Sequence, residues 1–171
     1  SAYNFLAQLY IKKSLIFSGI FFAFFLSCES PESTKEQAPL IVTTTNILYD
    51  LTNNIIGDCI EVTPLMSAGV DPHLFTPNRT HINLLSKADV IIANGLSLEG
   101  RLLDSLNSLK GSGKKVLFAG DMLQGKELIT SSHNFVDPHI WMDPVLWNQI
   151  VLPISKYLEE RYPQCHSIAL N

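Results

Sequence analysis

Short apolar runs alternate with amphipathic stretches between residues 40 and 161 of this chain. β-branched or continuous apolar runs of strand length lie at Leu40–Thr45, Cys59–Leu65, Asp89–Asn94 and Lys115–Ala119. Apolar residues at helical spacing predict helices at Asn46–Ile56, Arg79–Ala88, Leu98–Leu109 and Pro144–Arg161. The last helix is expected to be broken or kinked at Pro153. This alternation predicts an α/β fold with a mainly parallel sheet flanked by helices.

The beginning of the chain has a different pattern. Lys12 and Lys13 precede an uncharged apolar run from Leu15 to Leu26, which is shorter than the roughly 20 residues that a bilayer span needs. A short apolar run after a positive pair is typical of a secretory signal. We therefore expect residues 1–27 to be a signal segment. An uncleaved membrane anchor is the alternative.

Cys28 follows this apolar run directly after Ser27, and the arrangement resembles the lipobox of bacterial lipoproteins, with Phe25 where a leucine is usual. We expect Cys28 to carry a lipid that holds the exported protein at the cell envelope. Residues 28–39 are polar and include two prolines, and a segment of that composition cannot bury apolar area. It predicts a flexible tether, after which residues 40–171 form the folded part.

Charge and cysteine usage exclude some classes of function. The net charge is −4 and no cluster of Lys or Arg is present, so nucleic acid is not an expected partner. The three cysteines show no CxxC spacing, which argues against a structural zinc finger. Cys59 and Cys165 either form a disulfide, as an exported protein allows, or are two buried thiols.

The tripeptide Asp-Pro-His occurs twice, at residues 71–73 and 137–139. A preceding proline stiffens the approach to the histidine, and imidazole is a common ligand of transition metals. Each aspartate could accept a hydrogen bond from the other ring nitrogen or cap a turn. The duplication predicts His73 and His139 as metal ligands. Asp71 and Asp137 are predicted to contact these ligands rather than the metal. Two turn histidines that bond only to the backbone are the alternative.

A resemblance rests on three segments in order: GVDPHLFTPN, INLLSKADVIIANGLSLEG and VDPHIWMDP. Together they closely resemble the zinc/manganese solute-binding lipoprotein family of ABC importers, from about Leu40 to about Tyr162. The resemblance implies two α/β lobes joined by a long helix. It implies His73 and His139 as two metal ligands in the first lobe, and a carboxylate or histidine followed by an aspartate in the second.

The same resemblance implies a function. The protein would not be an enzyme but a monomeric, extracytoplasmic receptor that captures Zn²⁺, Mn²⁺ or Fe²⁺ and delivers it to an ABC permease with its ATPase. The 171-residue chain is then expected to be a truncated N-terminal lobe. A metal-dependent hydrolase is one alternative, but no HExxH or paired-carboxylate pattern accompanies the two histidines. An adhesion lipoprotein with a structural metal is the other.

Other chemistry-bearing residues have local explanations. We expect His81 to be a solvated helix residue and Asp143 to cap the helix that follows it. Glu99 is expected to be solvated or to cap a helix. Trp141 and Trp147 are expected to pack in the core rather than line a cleft.

Overall fold

The structure is a computed structural model that describes residues 38–123 and 136–165. The predicted signal segment, most of the predicted tether and the predicted lipidation site Cys28 lie outside the described residues. Within these ranges, four strands alternate with four α-helices. No helix in the described part of the chain has the length and apolar character needed to cross a membrane.

The strands form one parallel sheet, as predicted. They are β1 (Leu40–Thr43), β2 (Glu61–Pro64), β3 (Val90–Ala93) and β4 (Lys115–Phe118). Their spatial order is β2-β1-β3-β4, and Val42 of β1 lies in register with Thr63 on one side and Ile91 on the other. The order reverses direction between β1 and β3, and such a switch opens a crevice beyond the carboxyl ends of the strands. The α/β class is confirmed.

Helix α1 (Asn46–Ile56) has the bounds that the sequence predicts, because both of its ends are capped locally. The hydroxyl of Thr45 accepts a hydrogen bond from the backbone N–H of Leu48 at 3.4 Å. At the other end Gly57 has a φ of 61° and its N–H donates to the carbonyl of Asn53. Glycine adopts this left-handed conformation at little cost, which is why it ends the helix.

Helix α2 (Arg79–Lys87) begins with a capping box. The side chain of Asn78 accepts from the N–H of His81 at 3.0 Å, and Nδ1 of His81 accepts from the N–H of Asn78 at 3.1 Å. The His81 ring also lies against Phe75, with ring centroids 4.9 Å apart. His81 is therefore a partly exposed helix residue that also caps the helix, a role that the sequence did not predict.

Helix α3 (Leu103–Gly111) starts later than predicted, after a 3₁₀ turn at Gly100–Leu102. Leu98 and Leu102 are both fully buried, which is why their spacing indicated a helix. Gly100, however, has a φ of 39°, a conformation that a right-handed α-helix does not contain. The first part of the predicted helix is therefore a loop followed by a 3₁₀ turn, and each contains a buried leucine.

Helix α4 (Pro144–Arg161) is continuous and includes Pro153. Of the predicted break or kink, the break is wrong, because one proline removes only one helical hydrogen bond, while Ile150, Ile154 and Leu158 of the same helix are all buried in the core. Asp143 begins the helix by accepting from the N–H groups of Val145 and Leu146. Its predicted capping role is confirmed.

Alternate residues of the strands pack into two separate cores, one on each face of the sheet. Ile41, Val90 and Ile92 belong to the core that includes residues of α1 and α4. Val42 and Ile91 belong to the other, with residues of α2 and α3. Because both faces are covered, the central strand β3 is buried and apolar throughout rather than alternating.

A disulfide joins Cys59 to Cys165, with the Cα atoms 5.6 Å apart. The sequence is compatible with a disulfide or with two buried thiols, and the structure has the disulfide. Cys165 follows α4 and Cys59 lies between α1 and β2, so the bond ties the end of α4 to the rest of its core. It closes a loop with a sequence separation of 106, and cross-links of long loops restrict the unfolded chain strongly.

Candidate metal centre

The two Asp-Pro-His segments meet in space. Nε2 of His73 lies 3.2 Å from Nε2 of His139, although 66 residues separate them. Two imidazole nitrogens that bind one tetrahedral ion at about 2.0–2.1 Å would lie about 3.3–3.4 Å apart. The two rings are tilted by 57° with their centroids 5.2 Å apart. The pair is therefore spaced as two ligands of a single ion.

Both histidines lie in loops, and the fold determines which loops these are. His73 is in the connection from β2 to α2, and His139 precedes the 3₁₀ turn Ile140–Met142 that leads into α4. Ligands of open α/β sheets bind beyond the carboxyl ends of the strands. The position of His73 after β2 agrees with the site that this rule predicts.

The aspartates of the two segments act differently. Oδ1 of Asp71 accepts from the backbone N–H of His73 at 2.9 Å, and Oδ1 of Asp137 accepts from the N–H of His139 at 3.0 Å. Oδ1 of Asp137 additionally lies 2.5 Å from Nδ1 of His139. The sequence left turn capping and ring orientation open. In the structure, Asp71 caps its turn, whereas Asp137 both caps its turn and orients a ring.

The contact with Asp137 has an electrostatic consequence. The pKa of Asp137 is lowered, first by the backbone hydrogen bond from His139 and then by the contact with its ring. A carboxylate accepts at Nδ1 only if Nδ1 carries the proton, and this hydrogen-bond partner assigns the tautomer. In the neutral ring the lone pair is then on Nε2, the nitrogen that lies 3.2 Å from Nε2 of His73, and a metal ligand needs such a free lone pair.

Glu99 is the largest difference from the sequence expectation. It is not solvated, because it is fully buried, and although it immediately precedes the 3₁₀ turn Gly100–Leu102, its side chain makes no capping hydrogen bond there. Its Oε1 accepts from the Thr44 hydroxyl at 2.8 Å and the Asn94 N–H at 2.6 Å, and its Oε2 accepts from the Gly95 N–H at 3.1 Å. Burial raises the pKa of Glu99, and these hydrogen bonds oppose the increase. The carboxylate occupies the crevice between the ends of β1 and β3.

Asn94 is a residue of the site that the sequence reasoning missed. It is buried, and its Nδ2 donates to the carbonyls of Gly95 at 3.1 Å and Pro138 at 3.0 Å. Pro138 directly precedes His139, so Asn94 contacts the backbone of the second Asp-Pro-His segment. One signal could have found it: a polar residue immediately after an apolar strand lies at the edge of a parallel sheet where ligands bind.

The two tryptophans have different environments. Trp141 is half-buried, and its ring makes an edge-on contact with the His139 ring at 5.1 Å between centroids. It also lines a shallow cavity with Pro72, so the expectation that Trp141 packs in the core is wrong. Trp147 packs against the core on the α1 and α4 face, as expected.

Among the described residues, the structure brings together two imidazole nitrogens that are spaced to bind one ion. Among them, no group of three or more His, Cys, Asp or Glu side chains is placed to hold a metal ion. A closed site for zinc has four ligands. An ion between His73 and His139 would therefore need further ligands from water or from protein that the described part of the chain does not include.

A comparison with family models matches residues 41–168 to the family described as ZnuA: Zinc-uptake complex component A periplasmic. Among curated proteins, the chain is 30% identical over 134 residues to the zinc-binding protein TroA of Treponema pallidum. It is 29% identical over 136 residues to the manganese-binding lipoprotein MntA of Bacillus subtilis. These matches cover 78% and 80% of this chain but 43% and 44% of the relatives. The chain thus spans less than half the length of either relative.

Solved structures show the same fold. The periplasmic zinc-binding protein TroA from Treponema pallidum matches with a TM-score of 0.70 and 31% identity, over 74% of this chain and 46% of that one. The Fe(III)-bound YtgA from Chlamydia trachomatis matches with a TM-score of 0.65 and 26% identity, over 74% and 45%. Both are metal-binding proteins by name, and in both the match covers about half of the known structure.

Proposed function

This chain belongs to the periplasmic zinc-uptake component A family, and on that basis we propose that it captures a divalent transition-metal ion outside the cytoplasm and delivers it to an ABC importer. The observation that carries the proposal is the 3.2 Å separation of the His73 and His139 Nε2 atoms. Two identical tripeptides far apart in sequence converge at a distance that suits one shared ion. The relatives named for binding zinc and manganese support the same conclusion.

In this proposal His73 and His139 bind the ion through Nε2. Asp137 holds the His139 ring in the tautomer that leaves Nε2 free to bind, since it lies 2.5 Å from Nδ1. Asp71 shapes the turn that presents His73, through its hydrogen bond to the His73 N–H. The protein binds and releases its cargo and is not an enzyme, in line with the binding functions for which its relatives are named.

The remaining ligands are proposed to come from a second lobe. The relatives are more than twice as long as the segment they share with this chain, which leaves room for such a lobe. The identity of those ligands decides the preferred metal, because another imidazole would favour zinc whereas carboxylates would favour manganese or iron. The proposal therefore includes Zn²⁺, Mn²⁺ and iron as candidate cargo.

The proposed partners are a membrane permease and its ATPase, as in an ABC importer. Export is supported by the family's description as periplasmic. It is also supported by the Cys59–Cys165 disulfide, because structural disulfides persist in oxidising compartments outside the cytoplasm. We further propose that lipid on Cys28 anchors the protein at the cell envelope and that the complete protein is a monomer.

The lipid anchor can be tested in cells. Wild-type protein should incorporate a radiolabelled fatty acid, and Cys28→Ser should not. Cys59→Ser is the matched control, because it removes a cysteine that takes part in the disulfide and should keep the label. Equal labelling of wild type and Cys28→Ser would show that the anchor is not at this cysteine.

Metal binding is tested by calorimetric titration of the full-length protein with Zn²⁺ and Mn²⁺. His73→Ala and His139→Ala should each weaken binding by more than the ~10–100-fold that loss of an outer partner costs, because each removes a direct ligand. His81→Ala is the matched control, since His81 bonds to Asn78 in a helix cap rather than at the centre. It should bind metal as wild type does.

Two outcomes would overturn the proposal. Wild-type affinity in both His73→Ala and His139→Ala would show that the two Asp-Pro-His segments only form turns and do not bind metal. A wild-type protein that bound neither metal would exclude capture altogether.

A further inference from the structure

The loop that follows β3, Asn94–Gly100, has an unusual backbone. Gly95, Leu96 and Ser97 have φ values of 75°, 54° and 63° in succession, and Gly100 has a φ of 39°. For Leu96 and Ser97 this left-handed region is sparsely populated, because the Cβ atom approaches the backbone. Strained backbone of this kind persists only where the surrounding structure fixes it, and it concentrates at functional sites.

Glu99 is the group that fixes this loop. Its carboxylate is fully buried and accepts the N–H groups of Asn94 and Gly95 at 2.6 and 3.1 Å. It also accepts the hydroxyl of Thr44 at 2.8 Å, which ties the loop to the end of β1. A buried carboxylate needs such partners, because an unpaired one would be costly to desolvate. The loop and Glu99 therefore stabilise each other.

The fixed loop contacts both Asp-Pro-His segments through two different residues. At its first position, the Asn94 amide donates to the carbonyl of Pro138 at 3.0 Å, one peptide before His139. At its last position, a Cβ added to Gly100 would lie 3.1 Å from the carbonyl oxygen of His73. Gly100 therefore packs closely against the backbone of His73. One short loop thus contacts the backbone of both segments.

We propose that Glu99 and Asn94 are positioning residues that set the separation of the His73 and His139 nitrogens through this loop. The inference rests on the proposed function, because it assigns these residues a role in metal binding. Neither residue touches the ion. Glu99 holds the loop in its strained conformation, and Asn94 transmits that conformation to the Pro138–His139 peptide.

The test uses full-length protein and two measurements. Zn²⁺ affinity is measured by competition with a chelator, and the geometry of the site is followed by the visible absorption of bound Co²⁺, whose bands report coordination geometry. Asn94→Ala and Glu99→Gln should each lower Zn²⁺ affinity by about 10–100-fold, the usual cost of losing a residue that supports the metal ligands without touching the metal. Each should also change the Co²⁺ bands.

Two matched controls separate positioning from general stability. Asn54→Ala removes an asparagine whose Nδ2 donates to the Asp50 carbonyl at 2.7 Å, away from the centre. Val116→Ala destabilises the core on the α2 and α3 face without altering the loop's hydrogen bonds. Both controls should keep the wild-type Zn²⁺ affinity and Co²⁺ bands, even where Val116→Ala unfolds more readily.

Wild-type affinity and Co²⁺ bands in folded Asn94→Ala would overturn the inference, and this variant serves even if Glu99→Gln does not fold. An equal loss of Zn²⁺ affinity in Val116→Ala would also overturn it, because the effect would then follow stability alone. Both results presuppose a wild-type protein that binds Zn²⁺, so they leave the proposed function standing. Failure of the wild type to bind Zn²⁺ would instead overturn the proposed function, and this inference with it.

Discussion

The two Asp-Pro-His segments have the same sequence but different surroundings. In both, the aspartate accepts the histidine N–H, at 2.9 Å in the first and 3.0 Å in the second. Only in the second segment does the aspartate also contact the histidine ring. Only there does a buried side-chain amide, that of Asn94, donate to the carbonyl of the preceding proline, Pro138. His73 is exposed and His139 is half-buried. A short motif therefore specifies a turn, and the packing around it decides how firmly the ligand is oriented.

This difference matters because a metal site gains affinity when its ligands are oriented before the ion arrives. His139 is held at its ring and at its backbone. In the described residues His73 has the turn bond from Asp71 and the close approach of Gly100. Leu74, the residue after His73, is 76% exposed. We therefore expect the His139 ring to be oriented before the ion binds and the His73 ring to change its orientation when the ion binds.

The first prediction compares the two aspartates. Asp137→Ala should lower Zn²⁺ affinity of the full-length protein by about 10–100-fold, because it releases the His139 ring. Asp71→Ala should have a smaller effect, since it removes only a turn hydrogen bond. Calorimetric titration of both variants checks this. Equal losses would show that the two segments are supported alike.

The second prediction concerns the support under His73. Gly100→Ala should weaken Zn²⁺ binding several-fold, less than Asp137→Ala, because the new Cβ would meet the His73 carbonyl at 3.1 Å. Gly113→Ala is the matched control: its φ of 94° imposes backbone strain, but a Cβ there meets nothing within 4 Å. Both should lower the melting temperature. If Gly113→Ala weakened Zn²⁺ binding as much, strain alone would be responsible.

The third prediction separates the two carboxylates by pH in metal-free protein, and its effects are the smallest. The pKa of Asp137 is lowered from 3.8, so its contribution to stability is present above that value and is lost as the pH falls through the lower, folded-state pKa. The pKa of Glu99 is raised from 4.5. Its contribution is therefore full below about 4.5 and declines as the pH rises through the folded-state pKa.

Urea unfolding between pH 3 and pH 8 measures both effects. The stability of wild type relative to Glu99→Gln should decline as the pH rises above about 4.5. The stability of wild type relative to Asp137→Ala should decline at the acid end of the range. A wild-type advantage over Glu99→Gln that grew with pH would show that the carboxylate is favoured by its hydrogen bonds more than burial disfavours it.

Local chemistry explains what the sequence predicted well. Both ends of helix α1 are predicted correctly, because the residues that cap it, Thr45 and Gly57, directly flank it in the sequence. The pairing of His73 with His139 was expected because the motif is duplicated in loops of a parallel sheet. These features depend on neighbouring residues or on a repeated pattern, and both can be seen in a single sequence.

Long-range contacts explain what was missed. The burial of Glu99 depends on Thr44, which is 55 residues away in sequence, and nothing adjacent to Glu99 reveals that contact. The role of Asn94 depends on a carbonyl 44 residues away. Trp141 was expected in the core because large aromatic side chains usually pack there, but a 3₁₀ turn places its ring beside His139.

The proposed function requires that the two Asp-Pro-His segments share one metal ion. The most direct test is a crystal of the full-length protein loaded with Zn²⁺, with the ion located by anomalous scattering at the zinc edge. One strong peak is expected at about 2.0–2.1 Å from Nε2 of both His73 and His139. A fully occupied ion that contacted only one of these histidines, or neither, would contradict it.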